Sequence, residues 1–86
     1  MTRSLAHELS AQKIRVNCVC PGLVETNMVA ELKDILTPEQ LTALVSEYPL
    51  GLGKPDDVAY VIAVLLSPAA RWITGTSLII DGGLTA

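Results

Sequence analysis

The chain has 86 residues, half of them hydrophobic and 17% charged, with a net charge of −3. That length bounds it to one small domain, and an acidic balance with no basic block excludes a nucleic-acid-binding module. The longest apolar run, "VAYVIAVLL" at 58–66, has nine residues; a membrane span takes about 20.

So much apolar sequence in so short a chain reads as interior, to be covered by a longer protein or by a partner. Arg3, His7 and Glu8 interrupt the N-terminus before any apolar core forms, so no secretory leader is read there and a cytoplasmic location is expected.

Residues 1–12 read as a helix: Met1, Leu5 and Leu9 recur every four positions, with Ala6 beside them. Its start is abrupt, with Thr2 or Ser4 as candidate caps, and His7 falls on the solvated side. Residues 14–20, "IRVNCVC", read as a strand. Its weak polar alternation is that of a parallel strand covered on both faces. Pro21 ends it, having no N–H to donate to a ladder. Cys18 and Cys20 point to one face of this strand. A zinc site wants about four ligands and the only histidine lies in another element, so the pair is read as two inert, buried thiols.

Residues 27–36 read as a helix with Met28, Val29, Leu32, Ile35 and Leu36 as apolar positions. "TPEQ" at 37–40 starts another that runs to about Glu47: Thr37 can cap, Pro38 suits the first helical position, and Gln40 completes a capping box. Pro49, Gly51 and Gly53 break it. "KPDDVAYVIAVLLSP" at 54–68 is the strongest helix. Pro55 opens it, Asp56 and Asp57 place negative charge at the positive end of its dipole, and Pro68 closes it. It is apolar nearly all round and is expected to be buried. Gly75 then turns the chain, residues 76–81 form a last strand, and Gly82-Gly83 end it. Strand, long helical crossover and strand make a βαβ-type unit with a parallel pair and a right-handed connection.

The stretch "IRVNCVCPGLVETNM" holds the most pointed local pattern. A β-branched run stops at Pro21-Gly22, and the hydroxyl of Thr26 follows shortly. Taken alone, this is a plain turn with Thr26 as a helix cap, or the rim of a ligand site beyond the end of a strand.

"LAHEL", "NCVCPG", the Pro-Gly-x-x-x-Thr step, "GKPDDVA" and "ITG" followed by "DGG" occur in one order over residues 2–83. Together they closely resemble the C-terminal third of the short-chain dehydrogenase/reductase family. The resemblance implies an α/β fold, the last two strands and flanking helices of a Rossmann-type, doubly wound parallel sheet, with residues 1–86 as a partial NAD(P)-binding domain. It implies NAD or NADP as cofactor and a small carbonyl or alcohol substrate. The nicotinamide end of the cofactor would lie against Pro21, Gly22, Leu23 and Val24. Backbone groups of Val24 would sit near the carboxamide, and the Thr26 hydroxyl on the carboxamide or a phosphate oxygen. Gly22, lacking a Cβ, would let the backbone approach the ring. Residues 28–48 would form the substrate lid. Residues 54–67 and 76–83 would contribute to a subunit interface in a homo-oligomer.

The family's glycine-rich loop, its serine, and its tyrosine and lysine four residues apart do not occur in these residues. Tyr48 is followed at the fourth position by Leu52, and Tyr60 by Val64. Leu52 stands where many relatives carry an arginine. The chain is therefore expected to begin just downstream of the active-site pair and to be inactive alone. The alternative is a short non-catalytic protein that binds an intact relative through its apolar helix and final strand.

Overall fold

The computed structural model describes the backbone of all 86 residues and every side chain except that of Met28; the expectation that Met28 belongs to an apolar helix face lies outside the described residues. The elements in chain order are α1 (Thr2–Leu9), β1 (Cys18–Pro21), α2 (Asn27–Ile35), α3 (Pro38–Ser46), α4 (Pro55–Leu66) and β2 (Ser77–Ile80), with short 3₁₀ turns at Ser10–Gln12 and Pro68–Ala70.

β1 and β2 pair in parallel, Cys18 opposite Ser77 and Pro21 opposite Ile80. The Cys18 N–H donates to the Thr76 carbonyl and the Gly22 N–H to the Ile80 carbonyl. Because N–H directions alternate along a strand, Pro21 occupies a position whose donor would face the free edge of β1. A proline is tolerated there. The strand is shorter than the 14–20 expected, and side chains are the reason. Val16 donates to Thr74 Oγ1 at 3.1 Å, while Asn17 donates to the Ile73 carbonyl at 3.0 Å and accepts the Thr76 N–H at 3.1 Å. Asn and Thr side chains thus take over most of the ladder here, leaving one backbone bond, from the Gly75 N–H to the Val16 carbonyl at 2.7 Å. Gly75, at φ +75°, turns the second segment into register.

Helices flank the pair on opposite faces. Val16 and Val19 share a cleft with Ile62 and Leu65 of α4, while the Cys18 thiol lies toward Thr2 of α1. Ala6 of α1 lies against Gly75. α3 packs on α2. Its start is fixed as the sequence requires: Thr37 Oγ1 accepts the Gln40 N–H at 3.2 Å and Gln40 Oε1 accepts the Thr37 N–H at 2.9 Å. At the start of α4 the Asp57 carboxylate accepts the Lys54 N–H at 2.7 Å. At the start of α1, neither Thr2 nor Ser4 caps; Met1 holds that position without a side-chain bond.

Two burial expectations are overturned. α4 contributes no buried residue. Val58, Val61 and Leu65 are half-buried on its inner side, but Tyr60, Val64 and Leu66 are exposed, Leu66 at 78%. A two-stranded sheet offers one layer, so only one side of an apolar helix is covered. For the same reason the segment 14–20, with the start of β1, is not enclosed: Ile14 and Cys20 are exposed and Cys18 is half-buried.

Among the described residues only Ala6, Val29 and Ala70 are buried apolar positions. The radius of gyration is 16.3 Å and the long axis 52 Å; a compact chain of this length has a radius near 12 Å. Its accessible surface is 6506 Å² at 9.1 kDa, against about 4,900 Å² for a compact monomer of that mass.

Candidate functional site

The two strands end side by side at Pro21 and Ile80, and the rim beyond them is built by three loops. The first carries Gly22–Glu25. The second, Tyr48–Gly53, joins it through a parallel bridge between Val24 and Gly53. In that bridge the Gly53 N–H donates to the Leu23 carbonyl at 3.1 Å and the Glu25 N–H to the Gly53 carbonyl at 2.8 Å. The third, Asp81–Leu84, is tied in where the Leu50 N–H donates to the Gly82 carbonyl at 3.0 Å.

This bridge determines which main-chain groups are free. In a parallel ladder one residue's N–H and C=O point to the same side and the next residue's to the other. Leu23 C=O and Glu25 N–H are spent on Gly53, so the N–H and C=O of Val24 face away from it. Neither takes a hydrogen-bond partner among the described residues. A donor and an acceptor from one residue, side by side, match a primary carboxamide.

Thr26 is the N-cap residue of α2, its carbonyl accepting from Val29 at 3.0 Å and Ala30 at 3.2 Å. Its hydroxyl makes no capping bond and is exposed. The plain-cap reading of the Thr26 side chain is therefore not what the structure adopts, and the hydroxyl is left for another partner.

Gly22 has a different physical justification from the one expected. A β-carbon there would stand 2.9 Å from Tyr48 Cε1, 3.0 Å from Asp81 Cβ and 3.1 Å from Asp81 Cα. The space is taken by the protein's own tyrosine ring and the end of β2. The Tyr48 hydroxyl accepts the Leu23 N–H at 3.1 Å, so this side chain braces the wall. Sequence reading considered Tyr48 only as a proton donor and missed that role, because the contact spans 25 residues and no local pattern encodes it.

Leu23 and Val24 line a groove of about 330 Å³ with Leu50, Leu52, Val58 and Ile80. Pro21 and Thr26 are exposed beside it, and Gly22 is half-buried behind it. The structure thus places the five candidate residues on one rim but only two of them in the groove. Asp81 at the groove edge is ionised readily. Its carboxyl is held below the ordinary carboxylate range first by the Thr85 hydroxyl, 2.6 Å away, and then by the N–H groups of Gly83, Thr85 and Leu84. No cluster of three metal-ligating side chains occurs among the described residues.

A family model described as enoyl-(acyl carrier protein) reductase matches residues 1–85. The 3-oxoacyl-[acyl-carrier-protein] reductase FabG of Chlamydia pneumoniae is 46% identical over 85 residues, covering 98% of this chain and 33% of that protein. The 2-(S)-hydroxypropyl-CoM dehydrogenase 3 of Xanthobacter autotrophicus is 37% identical over 89 residues, covering 100% of this chain and 35% of its own length. Among solved structures, 4-hydroxyisoleucine dehydrogenase complexed with NADH superposes with a TM-score of 0.85 at 36% identity, over 98% of this chain and 34% of that one. A blue fluorescent protein from a metagenomic library, in complex with NADPH, gives 0.83 at 38% identity, over 100% of this chain and 33% of that one. The chain spans about a third of the length of the curated relatives it matches. Its order of elements, its parallel strand pair between flanking helices and its matches over nearly every residue lead to one conclusion: the chain belongs to the short-chain dehydrogenase/reductase family.

Proposed function

We propose that this chain is the C-terminal third of an NAD(P)-dependent oxidoreductase and forms the nicotinamide wall and substrate lid of that enzyme. The observation that carries this reading is the free N–H and C=O of Val24, beside the uncapped hydroxyl of Thr26, just past the ends of two parallel strands. Ligands of open α/β sheets bind at that rim. When bound, the nicotinamide would supply or accept the hydride that interconverts a carbonyl and a secondary alcohol. The relatives' names, a 3-oxoacyl reductase and a hydroxypropyl dehydrogenase, describe that pair of functional groups.

Within this scheme the Val24 N–H and C=O would donate to and accept from the carboxamide, and the Thr26 hydroxyl would donate to the carboxamide or a phosphate oxygen. Leu23, Leu50 and Val58 give the groove an apolar lining that keeps water from the reacting face. α2 and α3 form the lid. No residue here is assigned the proton-transfer role; on this reading the rest of the enzyme would supply it, and the 86 residues would not catalyse alone. A cytoplasmic site of action belongs to this reading. Separately, no helix among the described residues is long and apolar enough to cross a membrane.

The second reading, docking onto an intact relative, draws on the uncovered apolar side chains of α4 and β2: Tyr60, Val64, Leu66 and Ile79. The same surface serves the first reading as a subunit interface.

The test is a chimera in which this chain replaces the matching third of a 3-oxoacyl reductase. NAD(P)H-dependent reduction by the chimera is expected, with Thr26→Val raising the cofactor KM about tenfold. A folded chimera that binds NAD(P)H but reduces no carbonyl substrate overturns the proposal.

A further inference from the structure

The opposite rim, at the N-terminal ends of the strands, carries chemistry that the proposed cofactor wall does not use. There the segments 14–17 and 73–76 are stitched together by Asn17 and Thr74, and by the Gly75 N–H donating to the Val16 carbonyl at 2.7 Å. Two basic segments flank this seam. On one side Lys13 closes the 3₁₀ turn at φ 61°, a left-handed conformation seldom taken by a lysine, and Arg15 follows, its guanidinium donating to the Ile73 carbonyl at 3.3 Å. On the other side Arg71 and Trp72 leave the Pro68–Ala70 turn, with the Arg71 guanidinium 6.0 Å from the indole centroid.

Lys13, Arg15, Arg71, Trp72, Ser10 and Thr74 line an open cavity of about 430 Å³. Three of the chain's six cations are gathered there, and none of its nine carboxylates lines it. In a protein of net charge −3 this is a local reversal of sign. The indole of Trp72 is 88% exposed, and Arg71 approaches its ring.

We infer that this rim binds a nucleoside diphosphate, its base stacked on Trp72 and its phosphates held among Arg71, Arg15 and Lys13. Each part of the site selects for a part of that ligand. An exposed indole accepts any flat ring. Guanidinium forks match phosphate oxygens bidentately, and an ammonium adds a point charge. The hydroxyls of Ser10 and Thr74 offer donors and acceptors to a sugar. The volume lies within the range of small-molecule sites. A strand of four residues separates this rim from the candidate cofactor wall, a distance of about 10 Å or more.

Trp72 is the only tryptophan, so its emission reads this site alone. The 86-residue chain is titrated with ADP, adenosine and inorganic phosphate at low ionic strength. Saturable quenching by ADP is expected at submillimolar concentration, with adenosine and phosphate each binding at least tenfold more weakly. Lys13→Gln and Arg71→Gln are each expected to weaken ADP at least fivefold while leaving the far-ultraviolet circular dichroism unchanged. Lys33→Gln, which removes one equal charge from the exposed surface of α2, is expected to leave ADP binding within twofold. Quenching that never saturates, adenosine or phosphate binding as tightly as ADP, or an equal loss with Lys33→Gln overturns the inference.

Discussion

Tyr48 holds the candidate wall from behind: its hydroxyl accepts the Leu23 N–H at 3.1 Å while its ring edge would meet any β-carbon placed on Gly22 at 2.9 Å. One side chain from the end of the lid therefore sets both the position of the turn and the residue allowed in it. Tyr48→Phe keeps the ring and removes one hydrogen bond to a part-buried amide. It is expected to cost about 1 kcal/mol. Gly22→Ala also pushes against the Cα of Asp81, 3.1 Å away, which cannot swing aside as a side-chain tip would. Its expected cost is about 1–3 kcal/mol. Urea unfolding followed by circular dichroism orders the two; an alanine at position 22 milder than the phenylalanine at 48 contradicts the contact geometry.

The lid's second helix depends on its cap. Thr37 and Gln40 exchange hydrogen bonds at 3.2 and 2.9 Å. Thr37→Ala is expected to cost about 1 kcal/mol. Amide exchange at Gln40 and Leu41 checks it: protection there should fall while that of β1 is unaffected.

Acid should loosen the end of β2. The Asp81 carboxyl titrates below its ordinary value because the Thr85 hydroxyl and the N–H groups of Gly83, Thr85 and Leu84 favour the charged form. A folded-state pKa below the unfolded one, about 3.9, contributes stability above that pH. This contribution is lost as pH falls through the folded value. Asp81→Asn should therefore flatten the acid limb of the stability curve below about pH 4. Thr85→Val should move the Asp81 carboxyl resonance titration upward; an unchanged titration midpoint rules out the hydroxyl as its main cause.

The two thiols should differ in reactivity. The Ser77 hydroxyl, 3.1 Å from the Cys18 sulfur, and then Thr2 lower the Cys18 pKa. Partial desolvation of its sulfur, followed by the neighbouring Cys18, raises that of Cys20, even though the residue as a whole is exposed. Since the thiolate reacts, iodoacetamide near pH 8 should label Cys18 ahead of Cys20, although Cys20 is the more exposed. Ser77→Ala should slow Cys18; mass spectrometry of partly labelled chain decides the order.

Local chemistry was readable where it is self-contained. Thr37 and Gln40 specify a helix start within four residues. Pro55 and Asp57 specify another, and Gly75, Gly82 and Gly83, expected to turn and end the last strand, are found there with positive φ. The parallel pairing was legible from the strand–helix–strand order, and the Pro21-Gly22 turn at its C-terminal end from the proline that closes the β-branched run. Burial was not, because it belongs to what surrounds an element: the apolar sequence of α4 is that of a covered helix, yet Tyr60 and Leu66 face outward. Nor was the brace at Tyr48, a contact between residues far apart in the chain, or the shortening of β1, where Asn17 and Thr74 substitute side-chain bonds for backbone ones.

The segment from Asn27 to Ser46 leaves and rejoins the scaffold at neighbouring points, since Glu25 is bonded to Gly53 and Leu23 to Tyr48. Its two ends are already held together by contacts outside it, and lengthening such an insertion costs little in closure entropy. The helical pair can therefore be exchanged as a cassette, with new sequences and lengths grafted between fixed posts while the strands and the turn keep their places.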